Sequence, residues 1–127
     1  MIYGIGTDIT NVSRFEKWVN DENLLNRFFN EKEIFNKGTF RSKCEHYAAR
    51  FAAKEAFSKA LGTGIIFDLK DVYIQKNEEG KPDLCFSEEV LSLIKKRCGE
   101  AKVFVSLSHE KEYATAFVVI EKIEEKR

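Results

Sequence analysis

Two carboxylates, Asp8 in GIGTDI and Glu55 in RFAAKEAFSKALGTG, stand among residues that could put them to chemical use. Around Glu55 the chain spaces Arg50, Lys54, Ser58 and Lys59, and Gly62 and Gly64 follow directly. Cations, a hydroxyl and unobstructed backbone N–H groups are the donors a phosphate takes. Two carboxylates brought together repel one another unless a proton or a cation lies between them. Mg²⁺ answers that need, because one or two carboxylates commonly hold it while waters and substrate phosphates complete its octahedron. The pattern points to a divalent-dependent reaction on a phosphate-bearing substrate. Two plainer readings stand beside it: Asp8 caps the following helix, or Glu55 and Lys59 form an i,i+4 pair worth a few tenths of a kcal/mol.

For the two acids to meet, the elements carrying them must approach closely. Residues 2–10, IYGIGTDIT, read as a strand whose period of two puts Tyr3, Ile5, Thr7 and Ile9 on one face and Gly4, Gly6 and Asp8 on the other. Glycines inside a strand mark a place where another backbone comes near. The matching surface lies on the long helix around Glu55: at about 3.6 residues per turn, Ala49, Ala52, Ala53, Ala56 and Ala60 gather on one face. Tyr47, Ala48 and Phe51 interrupt the polar half, so the helix is expected to be buried on more than one side. Gly62 and Gly64 end it through the left-handed conformation.

Elsewhere the reading is conventional. Ser13-x-x-Glu16 is a capping-box signature opening a short helix, with Phe15, Trp18 and Val19 as its apolar stripe and Arg14 and Lys17 outward. A short apolar segment spans 24–29, Asn30-x-x-Glu33 repeats the capping signature, and 37–42 reads as a loop. A strand holding Val72 and Ile74, a turn at 77–82 and a strand at 83–86 form one hairpin. Ser87 caps a helix over 88–98 that Gly99 ends, and its Lys95, Lys96 and Arg97 suit the helix dipole. Residues 102–108 and 112–121 form a second hairpin, with His109 where its first strand stops, and 122–127 is a charged, frayed tail.

At 127 residues the chain is expected to be one domain, 1–127, and its 43% hydrophobic residues are ample for one core. Twenty-one basic and 21 acidic residues cancel, so no overall field favours nucleic acid or an anionic membrane. Three widely separated cysteines without zinc spacing suggest reduced thiols. The N-terminus lacks a basic flank and a long apolar run, so a soluble, cytoplasmic protein is expected.

Taken together, GIGTDI, RFAAKEAFSKALGTGI, the GKP hairpin and SLSHEKEYATAFVVIE resemble the holo-[acyl-carrier-protein] synthase family, the small single-domain branch of the 4′-phosphopantetheinyl transferases. The resemblance runs over nearly the whole chain. It implies an α+β fold, an antiparallel sheet packed on a long central helix with short N-terminal helices. It implies transfer of the 4′-phosphopantetheine arm of coenzyme A to a serine of apo acyl carrier protein, with release of adenosine 3′,5′-bisphosphate. Asp8 and Glu55 would bind Mg²⁺, with Lys59 the third catalytic group. Arg50, Ser58, Lys59, Gly62, Gly64, Ser108 and His109 would contact coenzyme A, and Lys54 lies among the same helical donors. The general base stays open between Asp8, Glu55 acting through a metal-bound water, and water alone. The resemblance also implies a homotrimer with active sites between subunits, which would account for Tyr47 and Phe51. Its first helix would dock the acidic carrier protein through Arg14, Lys17 and Arg27, with Phe15 and Trp18 as an apolar anchor. The sequence departs from the family at Asn30, where Thr is common, though both residues cap. Two rivals remain from other classes, a non-catalytic coenzyme A or carrier-protein binding module and a divalent-dependent coenzyme A hydrolase.

Overall fold

The computed structural model describes residues 1–124. In chain order its elements are β1 (Ile2–Asn11), a 3₁₀ turn (Val12–Phe15), α1 (Glu22–Phe28), a 3₁₀ turn (Glu31–Glu33), α2 (Phe40–Leu61), a 3₁₀ turn (Leu69–Asp71), β2 (Val72–Lys76), β3 (Pro82–Phe86), α3 (Glu88–Cys98), β4 (Ala101–His109) and β5 (Tyr113–Lys122). The α+β expectation holds: an antiparallel sheet in the order β1-β5-β4 packs on α2, and β2-β3 forms a separate hairpin.

The approach of β1 to α2 is as close as the glycine and alanine pattern predicts. A Cβ on Gly4 would overlap the carbonyl oxygen of Ala60, and one on Gly6 would overlap that of Ala56 and reach within 2.7 Å of the Ala60 nitrogen. Alanines 49, 52, 53, 56 and 60 are all buried. On β5 the even positions Ala114, Ala116, Val118 and Ile120 face the helix and are buried with them. From Ile5 on, the odd face of β1 stays uncovered within the chain, with Ile5 60% and Ile9 64% exposed, and Phe104 and Phe117 continue that apolar surface across the sheet. Tyr3 does not share it as expected, because the register shifts between Ile2 and Gly4 and its ring packs on the core, its hydroxyl donating to the Leu61 carbonyl at 3.5 Å.

Four local expectations are corrected. Ser13 does not open a helix; it lies within the 3₁₀ turn, Asn11 holds the cap position without capping a backbone N–H, and Ser13 Oγ donates back to Asn11 Oδ1 at 3.4 Å. The loop predicted to run to Ser42 ends earlier, because Thr39 Oγ1 accepts from the Ser42 N–H at 3.0 Å and starts α2 at Phe40. Tyr47 and Phe51 need no neighbouring subunit to explain them. They are buried within their own chain, Phe51 5.6 Å from Phe15 and Tyr47 4.9 Å from Phe29 between ring centroids. The tail starts one residue late, since Lys122 still pairs with Ala101, and residues 125–127 lie outside the described residues. The Asn30–Glu33 capping box forms as expected, as do the Ser87 cap and the stop of α3 at Gly99.

His46, on α2, carries a testable consequence of this packing. Its ring stacks on Phe35, and Nε2 lies 2.6 Å from the Glu33 carbonyl oxygen, which makes that nitrogen the donor. Burial and then the Arg50 charge lower its pKa to about 4, against a weaker pull from the Glu33 carbonyl. The folded protein therefore holds the neutral ring, and as pH falls below about 6.5 the unfolded chain takes up the proton first. Stability should be lost between about pH 6.5 and 4, by up to about 3 kcal/mol. In urea titrations across that window, His46→Gln should show a shallower pH dependence than the wild type.

Candidate active site

Asp8 sits on the glycine face of β1, two residues beyond the contact of Gly6 with Ala56, and so lies along the stretch of α2 that carries Glu55. It caps no helix. Its Oδ2 accepts from Thr10 Oγ1 at 2.7 Å, and its Oδ1 is 3.5 Å from the ammonium of Lys59. Lys59 also donates to the Thr7 carbonyl at 2.9 Å. That settles the i,i+4 alternative, because Lys59 directs its charge to β1. Among the described residues, Glu55 joins no ion pair and lies one turn before Lys59 on the same side of the helix. Asp8 and Lys59 thus meet at one edge of the sheet, the Lys59 side chain 55% exposed, and Glu55 is placed one helical turn before Lys59 on α2.

The donor set suits a particular kind of metal. No group of three or more His, Cys, Asp or Glu side chains converges among the described residues, which rules out a zinc-type cage built from them. Asp8 at the sheet edge, with Glu55 one turn from its partner Lys59, offers the one or two carboxylates that suit Mg²⁺, which draws its other ligands from water and phosphate.

The remaining predicted donors divide. Arg50 and His109 line a cavity of about 230 Å³ together with Lys76, Gly80 and Pro82 of the β2-β3 turn. That turn is well made: Asn77 Oδ1 accepts from the Glu79 and Lys81 N–H groups, and Gly80 takes φ +83°. His109 Nδ1 lies 3.4 Å from Glu45, and burial lowers the Arg50 pKa without threatening its charge. Ser108 is on the outward face of β4, and Gly62, at φ +84°, ends α2 as predicted. Since β1 and β4 are opposite edges of the sheet, Asp8 and His109 of one chain flank different sides. A larger cavity of about 570 Å³, between Asn11, Ser13, Phe40, Cys44 and Tyr113, gathers none of these groups.

Three expected contact residues are corrected. Lys54 is fully buried, its Nζ donating to Glu33 Oε1 at 2.6 Å, to the Leu69 carbonyl at 2.9 Å and to the Val72 carbonyl. Ser58 is also buried, and its Oγ donates back to the Glu55 carbonyl at 2.7 Å. Neither can reach a ligand without unmaking the core. Phe15 is fully buried and cannot anchor a partner, whereas Trp18 is partly exposed. Arg14 lies 4.7 Å over the Phe51 ring and Arg27 5.3 Å over Phe28, so the basic residues are seated on the aromatic cluster they were expected to flank. One signal could have revealed Lys54 and Ser58. Tyr47, Phe51, Lys54, Ser58 and Leu61 recur at helical spacing, and all five are buried, a second stripe beside the alanine face.

Comparison with known proteins decides the family. The model of the 4′-phosphopantetheinyl transferase superfamily matches residues 4–118, a span that includes β1 from Gly4 on, all of α2 and most of β5. The chain belongs to that superfamily. Within it, the chain is 46% identical over 123 residues to a holo-[acyl-carrier-protein] synthase of Treponema denticola, covering 95% of this chain and 99% of the relative. The crystal structure of the Neisseria meningitidis synthase superposes with a TM-score of 0.84 at 33% identity, covering 96% and 100% of the two chains. That of a Bacillus anthracis synthase in complex with CoA (3′,5′-ADP) gives 0.77 at 37% identity, covering 97% and 99%. The 4′-phosphopantetheinyl transferase fold is therefore shared across the whole sheet and central helix, and the chain is an enzyme of the synthase branch.

Proposed function

We propose that the chain transfers the 4′-phosphopantetheine group of coenzyme A to a serine of an apo acyl carrier protein, with Mg²⁺ at Asp8 and Glu55 and adenosine 3′,5′-bisphosphate as the second product. The observation that carries this reading is the meeting of Asp8, Lys59 and the Glu55 turn where β1 presses on α2. A bound Mg²⁺ would supply charge stabilisation at the pyrophosphate oxygens. The chain's own groups do the rest: Lys59 neutralises phosphate charge, and Asp8, held by Thr10, keeps one oxygen turned to the reacting centre. Arg50, Lys76 and His109 around their cavity suit the nucleotide end of the donor.

One assay tests this against the two rivals. The protein is incubated with coenzyme A, Mg²⁺ and an apo carrier protein, and the carrier is weighed by intact-mass spectrometry. A pantetheinyl adduct is expected. Breakdown of coenzyme A without adduct would indicate a hydrolase, and no reaction a binding module.

The active centre is read as completed between subunits of a homotrimer. Support comes from the placement of Asp8 and His109 at opposite sheet edges and from the apolar outer face of Ile5, Ile9, Phe104 and Phe117, a surface that marks association. Light scattering should report three times the 14.7 kDa chain mass; monomer alone would refute it. Arg14, Lys17 and Arg27, with the exposed part of Trp18, form the docking surface for the acidic carrier. Arg14→Glu should raise the KM for carrier protein roughly tenfold while leaving the KM for coenzyme A unchanged.

A further inference from the structure

Glu33 and Lys54 form a buried ion pair at 2.6 Å whose side chains are 0% and 1% exposed. Its hydrogen bonds tie four segments together. Glu33 Oε1 accepts from Lys54 and from the Asn30 N–H, and Oε2 accepts from the Ile74 N–H at 3.0 Å, while Lys54 donates to carbonyls before and at the start of β2. Every buried side-chain polar atom among the described residues finds a partner. Such a pair is a weak stabiliser, because removing two charges from water costs about what their attraction returns, and apolar side chains of similar volume often do as well. What it gives is direction, since each bond fixes an angle that an apolar contact would not.

The direction matters because of what lies on either side. The β2-β3 hairpin is only two-stranded and forms no ladder with the main sheet, and such a ribbon has little stability of its own. Two residues past Ile74 it presents Lys76, and then Gly80 and Pro82, to the cavity that Arg50 closes from α2. Arg50 is one turn before Lys54, and Glu55 is the next residue after it.

We propose that the Glu33–Lys54 pair is a positioning element for the donor: it clamps the hairpin onto α2 and so sets the separation of Lys76, Gly80 and Pro82 from Arg50 across their cavity. The inference rests on the reading of that cavity as the site for the nucleotide end of coenzyme A. It assigns neither residue a contact with the substrate.

The test compares wild type with the neutral, nearly isosteric double variant Glu33→Gln/Lys54→Met, and circular dichroism first establishes that the variant is folded at the assay temperature. The KM for coenzyme A should rise at least tenfold, with kcat within about threefold of wild type and the KM for carrier protein unchanged. Calorimetric titration with coenzyme A should show the same loss of affinity. An unchanged KM for coenzyme A in the folded variant, or a fall in kcat alone, would overturn the proposal. Should the double variant fail to fold, Glu33→Asp replaces it. Asp keeps the charge but is one methylene too short to hold Lys54 and the Ile74 N–H at once, and the same criteria apply at a threefold rise in KM. Wild type measured alongside separates the two ideas: a wild type that transfers nothing removes the functional reading, and one that transfers normally leaves the variants to judge the clamp.

Discussion

Glu55→Gln should leave the protein folded, with its thermal midpoint within about 2 °C of wild type, and lower carrier-protein modification by roughly 10²–10³-fold. The fold is spared because Glu55 is only half-buried and enters no ion pair among the described residues, while its backbone carbonyl, which Ser58 uses, is retained. Activity is lost because an amide of the same shape gives up the negative charge that a hard cation requires. The Mg²⁺ dependence separates the roles open to this carboxylate. If Glu55 holds the metal, the half-saturating Mg²⁺ concentration rises and excess Mg²⁺ recovers part of the rate. If it acts only as a base, saturation is unchanged and the rate stays low. Full activity at ordinary Mg²⁺ would remove both roles, and with them the mechanism built on the meeting of β1 and α2.

What the sequence reveals and what it hides differ in physical kind. Period and residue size are local properties, so the glycine face of β1, the alanine face of α2 and the caps at Asn30 and Ser87 are legible without any long-range information. Lys54 and Ser58 are misread because the usual preference of Lys and Ser for solvent is overridden here by the packing around α2, and for Lys54 by partners far away in sequence. Glu33 is 21 residues from Lys54, and the Ile74 N–H it also binds is 41 residues from it. Nothing short of the packed structure shows that the second residue of the Asn30–Glu33 capping box is also the counter-ion of the central helix. Phe15 fails for a related reason. A short helix next to basic residues looks like a surface feature, yet the ring is enclosed by Trp18, Phe29 and Phe51, and the basic residues lie over the aromatic cluster from outside. His109 is placed at its strand end as predicted, but the sequence holds no cue that it and Asp8 occupy opposite sheet edges, because strand order is a property of the whole chain.

Gly6→Ala should be among the most damaging single substitutions available in this chain. The added Cβ meets backbone atoms of α2, the carbonyl oxygen of Ala56 and the nitrogen of Ala60, so no side chain can swing aside and no replacement at Ala56 restores room. β1 must instead retreat from the helix, forfeiting its close contacts with Ala56 and Ala60. A loss of about 3 kcal/mol or more is expected, at the upper end for overpacked cores, lowering the thermal midpoint by about 10 °C or more. Gly80→Ala is the control. That glycine has φ +83°, but a Cβ added there would meet nothing within 4 Å, so the change should cost only the conformational penalty of about 1–2 kcal/mol. Because Asp8 follows Gly6 on the same face, whatever Gly6→Ala protein remains folded in the cold should also transfer phosphopantetheine poorly, while folded Gly80→Ala retains the Asp8–Lys59 arrangement. Equal midpoints for the two variants would show that β1 and α2 tolerate separation, and the close approach that brings Asp8 to Lys59 would then be no requirement of the fold.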